Sequence, residues 1–125
     1  MANIFLDTNC FIDAIHRKPE KQILNLLEGH IACLSTLSIH IYCYSQKIKI
    51  PNDIIIEQIK KFQVVNFSKN ISNNALYGPT NDFEDNVQLH SAAESECDIF
   101  LTADKKLLDM KFFGKTQIIS PENLK

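Results

Sequence analysis

The chain lacks tryptophan, has only three glycines, four prolines and two methionines, and contains no run of about 18 apolar residues able to span a bilayer. So little Gly and Pro rules out collagen-like and low-complexity disordered classes. Four cysteines, Cys10, Cys33, Cys43 and Cys97, include no CxxC pair, and each sits in apolar surroundings, so they read as reduced, core-packed thiols of a reducing compartment. Positive charge is not in excess: 13 Lys and Arg face 15 Asp and Glu, a formal net charge of −2. A global basic field is thereby excluded, and any contact with nucleic acid has to come from local patches or a metal. The N-terminus has no basic leader, and its apolar run is broken at Asp7. Together these absences imply a soluble cytoplasmic protein without a membrane segment. What is present is ordinary for a globular chain, 45% apolar and 22% charged over 125 residues, which suits one domain spanning 1–125.

Short apolar runs alternate with helical patterns. Asn3 to Leu6, Ile31 to Leu34, Phe62 to Phe67, Asp98 to Thr102 and Thr116 to Ile119 read as strands. Helices are expected over Thr8 to His16, from Pro19 to Gly29, from Ser35 to about Gln46 with Leu37, Ile41 and Tyr44 inward, and after Pro51 with Ile55, Ile56 and Ile59 inward. Further helices are expected from Glu84 to Glu96 with Val87, Leu89, Ala92 and Ala93, and after Asp104. Ser68 to Asn81, rich in Asn and Ser, reads as an irregular, mobile rim. This alternation predicts an α/β fold in three layers, α/β/α, around a central five-stranded parallel sheet. Ligands of such sheets bind outside the carboxyl ends of the strands, and that edge would carry Asp7, Ser35, Asn66, Asp104 and Ser120.

Acids gather at that edge. Asp7 follows the first strand in Asp7-Thr8-Asn9, Asp82, Glu84 and Asp85 open a helix, and Thr102 and Asp104 end the fourth strand. Each fits a helix cap or a dipole-complementing position when taken singly, at about 0.3 to 1 kcal/mol for the dipole effect. Brought together, Asp7, Asp85 and Asp104 would raise one another's pKa in a cleft unless a cation sat among them. Hard oxygen donors without paired His or Cys favour Mg²⁺ or Mn²⁺, and the chemistry that follows is metal-assisted phosphodiester hydrolysis.

In these residues the sequence resembles the PIN-domain nucleases, over nearly its whole length. FLDTNCFID resembles the family opening, with Asp7 as the first metal acid and Asn9 supporting it. Asp85 in DFED matches the third acid, Asp104 in TADKKL the fourth with Thr102 beside it, and IISPENL resembles the usual ending. The resemblance implies catalytic and metal-binding roles for Asp7, Asp85 and Asp104, with Asn9, His40, Asp82 and Thr102 in support. It further implies an endoribonuclease leaving a 5′-phosphate, of the kind found as small toxins, with an antitoxin protein as partner and a homodimeric state. One position departs from the pattern: where the family places a Glu after the second strand, this sequence has His40 in STLSIHIYCY, with no acid between Ile31 and Asn52. His40 turned to the site would favour Mn²⁺ over Mg²⁺, since imidazole is the poorer partner for magnesium.

That departure keeps open a PIN-like domain that binds RNA or a protein without catalysis. A receiver-like phosphoacceptor also suits the length, but the chain offers a lone Asp7, Asn66 and Ser120 where that reading needs an acidic pair, an Asp and a Lys. An aspartyl phosphatase needs a second acid that Asp7-Thr8-Asn9 lacks. Asp13 has a weak claim on the site from its place on the first helix. Lys105 and Lys106 suit a phosphate backbone as well as solvent, and His16, His30 and His90 have no metal-ligand spacing.

Overall fold

The structure is a computed structural model that describes residues 1–16 and 23–124. In chain order the described residues form β1 Asn3–Leu6, α1 Thr8–His16, α2 Ile23–Leu26, β2 Ile31–Ser35, α3 Thr36–Ser45, α4 Asp53–Ile59 and β3 Gln63–Val65. There follow α5 Lys69–Ala75, α6 Phe83–Glu94, β4 Ile99–Leu101, α7 Lys105–Met110, β5 Phe112–Phe113, β6 Thr116–Ile119 and a 3₁₀ turn at Pro121–Asn123. The strands make one sheet in the order β3-β2-β1-β4-β6-β5. Five are parallel, with Ile4 beside Ala32 on one side and Ile99 on the other. The chain steps outward from β1 through β2 to β3, then returns to the other flank at β4. A cleft opens at such a switch point, above the carboxyl ends of β1 and β4.

Alternation along the strands divides the core between the two faces. Ile4, Leu6, Leu34 and Leu101 pack on one side with Phe11 and Tyr42, whereas Phe5, Cys33, Phe100 and Ile118 pack on the other with Leu89 and Ala92 of α6. Phe5 and Phe100, side by side in the ladder, stack at 5.7 Å. This is the three-layer arrangement that buried parallel strands require. Cys10, Cys33 and Cys97 are buried thiols and Cys43 is half-buried. Among the described residues no helix is long and apolar enough to cross a membrane.

The sheet has six strands rather than five. Phe112–Phe113 pairs antiparallel with β6 across Gly114-Lys115, where Gly114 takes a φ of +61°, as a tight hairpin needs. The third strand is shorter than the apolar run Phe62 to Phe67, because β2 ends at Ser35 opposite Val65 and leaves Asn66 and Phe67 nothing to pair with. Ser68 to Asn81 is not irregular throughout. The Ser68 hydroxyl accepts from the Ile71 amide at 3.2 Å to cap α5, and Ile71 and Ala75, one turn apart, bury against Val87 of α6.

Two helices keep most of their expected inward residues, with Leu37 and Ile41 of α3 half-buried, but not Tyr44 or Ile56. In α3, Ser38 and Tyr42 are buried while Tyr44 is 80% exposed. In α4, Ile55 and Ile59 are half-buried, but Ile54 and Ile56 face solvent. The pattern of α3 gives no single apolar face, and the three consecutive isoleucines of α4 cannot all share one. The start expected at Pro19 lies outside the described residues; the described end of that segment is α2, closed by Gly29 at a φ of +83°.

Candidate active site

Asp7 leaves the end of β1 almost fully buried, 7% exposed. Its two carboxyl oxygens are held separately: Oδ1 accepts from the Cys10 amide at 2.8 Å, capping α1, and Oδ2 accepts from the Thr102 hydroxyl at 2.5 Å. Thr102, wholly buried at the end of β4, also accepts from the Asp104 amide at 3.0 Å. One hydroxyl therefore fixes both strand-end acids. Asp104 caps α7 through Oδ1, which accepts from the Lys106 amide at 2.9 Å. Across the cleft, Asp82 caps α6 by accepting from the Asp85 amide at 3.0 Å, which leaves the Asp85 side chain, one turn on, half-buried among its acidic neighbours.

The electrostatics show which groups converge. Burial pushes Asp7 above the usual carboxylate range, against the hydrogen bonds from Thr102 and Cys10, with Asp104 adding repulsion. Asp85 is pushed up to about 6, first by burial and then by Asp82, Asp104, Glu84 and Asp7. Glu84 is also raised, mainly by loss of solvent and then by Asp82 and Asp7, while a hydrogen bond from Thr8 opposes the shift. Thus Asp7, Asp82, Glu84, Asp85 and Asp104 share one field, and the N-termini of α1, α6 and α7 all meet it.

Below the acids lies a buried polar knot. The hydroxyls of Thr8 and Ser38 are 2.9 Å apart, and the Gln88 amide donates to both, at 3.2 and 3.1 Å. Gln88, 1% exposed, lies one turn beyond Glu84 and Asp85, so the knot locks the rotation of α1, α3 and α6 about the cleft. Asn86 ties down the approach to α6: its amide donates to the carbonyls of Ala75 and Thr80, and its oxygen accepts from the Thr80 amide at 2.9 Å. Sequence reasoning placed Glu84 in the acidic turn but passed over Ser38, Asn86 and Gln88. The available signal was polar side chains at positions of α6 otherwise given to the core.

The supporting residues divide. Thr102 and Asp82 contact the acids or their helix, whereas Asn9 is exposed on the first turn of α1. His40 is exposed and stacked on Tyr44, ring centroids 6.3 Å apart. It stands two residues, about 200° of helix, from Ser38, which faces the cleft side; the residue one turn beyond Ser38 is Ile41. The remaining histidines serve the fold: His30 accepts from the Ala2 amide, His90 contacts the Gly78 carbonyl and His16 lies against Tyr42.

The donor set suits a hard divalent cation, being carboxylate throughout and self-repelling. Among the described residues no group of three or more His, Cys, Asp or Glu side chains is arranged to hold a metal ion. Mg²⁺ does not need so many, because it keeps several waters and takes one or two carboxylates.

No family model matches the sequence, and neither does any curated relative. Solved structures do. The toxin–antitoxin complex from Klebsiella pneumoniae contains a chain similar at a TM-score of 0.72 and 17% identity, over 94% of this chain and 97% of that one. VapBC2 from Rickettsia felis, bound to a DNA fragment from its promoter, matches at 0.69 and 15%, over 94% and 98%. A PilT N-terminus domain protein from Sulfolobus solfataricus matches at 0.64 and 16%, over 98% and 89%. Likeness at such low identity speaks for the architecture, and with the strand order and the acids at the switch point the conclusion is that this chain has the PIN-domain fold.

Proposed function

We propose that the protein is a metal-dependent endoribonuclease that hydrolyses RNA phosphodiesters. The observation that supports this reading is that Thr102 joins Asp7 to Asp104 at the strand ends and that Asp85, at the start of α6, feels the charge of both. These three would hold Mg²⁺ or Mn²⁺, which when bound supplies Lewis-acid charge at a phosphodiester oxygen and acidifies a water. Thr102 keeps the carboxyls of Asp7 and Asp104 in register, and the Thr8–Ser38–Gln88 knot keeps α6 at its distance. The solved neighbours from K. pneumoniae and R. felis are toxin–antitoxin and VapBC assemblies. They support the toxin of such a pair, with an antitoxin partner; the homodimeric state rests on the family resemblance alone. A second reading has its own observation: α3 turns Ser38 to the cleft with Ile41 one turn on, so this helix adds no carboxylate, as in a PIN-like domain that binds RNA or protein without cutting.

The two readings separate on a panel of structured and single-stranded RNAs incubated with purified protein in Mg²⁺, Mn²⁺ or EDTA. Cleavage that needs metal and disappears in Asp7→Asn and Asp104→Asn is the expected result. If calorimetry detects no binding of either metal and nothing is cut, the non-catalytic reading replaces it.

A further inference from the structure

Phe67 and Phe83 are exposed aromatic rings for which neither the core nor the acidic cleft accounts. They are 36% and 42% exposed, and their centroids lie 6.4 Å apart at an interplanar angle of 51°. Both are anchored at the edge of the sheet that carries the acids. Phe83 is the first residue of α6, between the cap Asp82 and the acids Glu84 and Asp85. Phe67 is held by its amide, which donates to Thr36 Oγ1 at 3.1 Å on the first residue of α3, directly after the carboxyl end of β2. Exposed amide side chains, Asn66 and Asn81, stand close in sequence to each ring.

An apolar pair here would ordinarily cost solubility, so its occupant has to be compatible with the cleft. The cleft is a cluster of carboxylates on a chain of net charge −2, and by itself it repels a polyanion. A bound cation and the exposed Lys105 and Lys106 would offset part of that repulsion, and stacking of a base on an aromatic ring adds affinity that does not depend on protein charge. We propose that Phe67 and Phe83 form a stacking platform for an unpaired nucleobase of the RNA beside the cleft. The proposal rests on the nuclease reading for the choice of RNA. A base inside an A-form duplex already has both faces covered and cannot use the platform.

The test uses a short single-stranded oligoribonucleotide, protected by phosphorothioate links, that carries one 2-aminopurine and an end label. The parent protein should quench the 2-aminopurine as it stacks. Phe67→Leu and Phe83→Leu, which keep apolar bulk, should each weaken binding about tenfold by anisotropy and abolish the quench, whereas Phe83→Tyr should retain both. An abasic residue in place of the base should weaken binding to the parent and have no further effect on Phe83→Leu. Equal affinity of parent and leucine variants overturns the proposal, as does a duplex bound as tightly as the single strand. Unchanged RNA affinity with loss of self-association in sedimentation also overturns it, by making the rings a protein interface. Failure of the nuclease reading looks different: ring-dependent binding persists while the unprotected strand is never cut.

Discussion

Asp85 differs from its acidic neighbours in how it is held. Asp7, Asp82 and Asp104 each cap a helix, so part of their charge is compensated by backbone amides. Asp85 sits within the first turn of α6, and its carboxyl is pushed up to about 6, well above the usual carboxylate range. The folded state therefore holds the proton more tightly than the unfolded chain. The stability this gives is complete below about pH 4 and is lost as pH rises through about 6. Asp85→Asn should match the parent in thermal stability near pH 4 and exceed it at pH 7.5, the gap closing when Mg²⁺ is added to the parent. Thermal melts across that pH range, with and without metal, check this; a variant less stable than the parent at pH 7.5 would show that Asp85 is held by contacts other than its acidic neighbours. That Thr102 stands beside Asp104 was legible from T-x-D after an apolar strand; its hydrogen bond to Asp7 was not, because it joins two separate strands. That each acid doubles as a cap shows the structural and chemical roles of these residues to be compatible.

At the scale of elements, α3 is the instructive case. Its residues Leu37, Ile39, Ile41, Tyr42, Cys43 and Tyr44 give no single apolar stripe, and the rotation is set by one small polar side chain, Ser38, within the Thr8–Gln88 knot. Ser38→Ala removes a partner from the buried amide of Gln88 and should cost about 1 to 3 kcal/mol in urea denaturation. His40→Ala, on the exposed face, should stay within about 0.5 kcal/mol of the parent. Equal costs would mean that the knot does not set the rotation. Helix α5 has the same lesson in reverse: an Asn- and Ser-rich segment folds because Ser68 caps it and Ile71 and Ala75 find Val87, a partner distant in sequence that composition cannot reveal.

For the whole molecule, the central strands carry the stability and place the site. Phe100 is fully buried, stacked on Phe5 and packed in the cluster that α6 covers. Phe100→Ala should lose about 3 to 5 kcal/mol in the same denaturation assay, since a large cavity opens where the sheet meets α6; a loss below about 1 kcal/mol would mean that the sheet collapses into the space. The sequence by itself determined the α/β class, the five parallel strands, the acids at the strand ends and the start of α6, because period and apolar run length are local properties. Only the tertiary structure decided the sixth strand, the truncation of β3, the outward face of His40 and the burial of Ser38, Asn86 and Gln88. Each of these depends on which surface a segment meets across the fold, and that is settled by long-range pairing and by the partners available to buried polar groups.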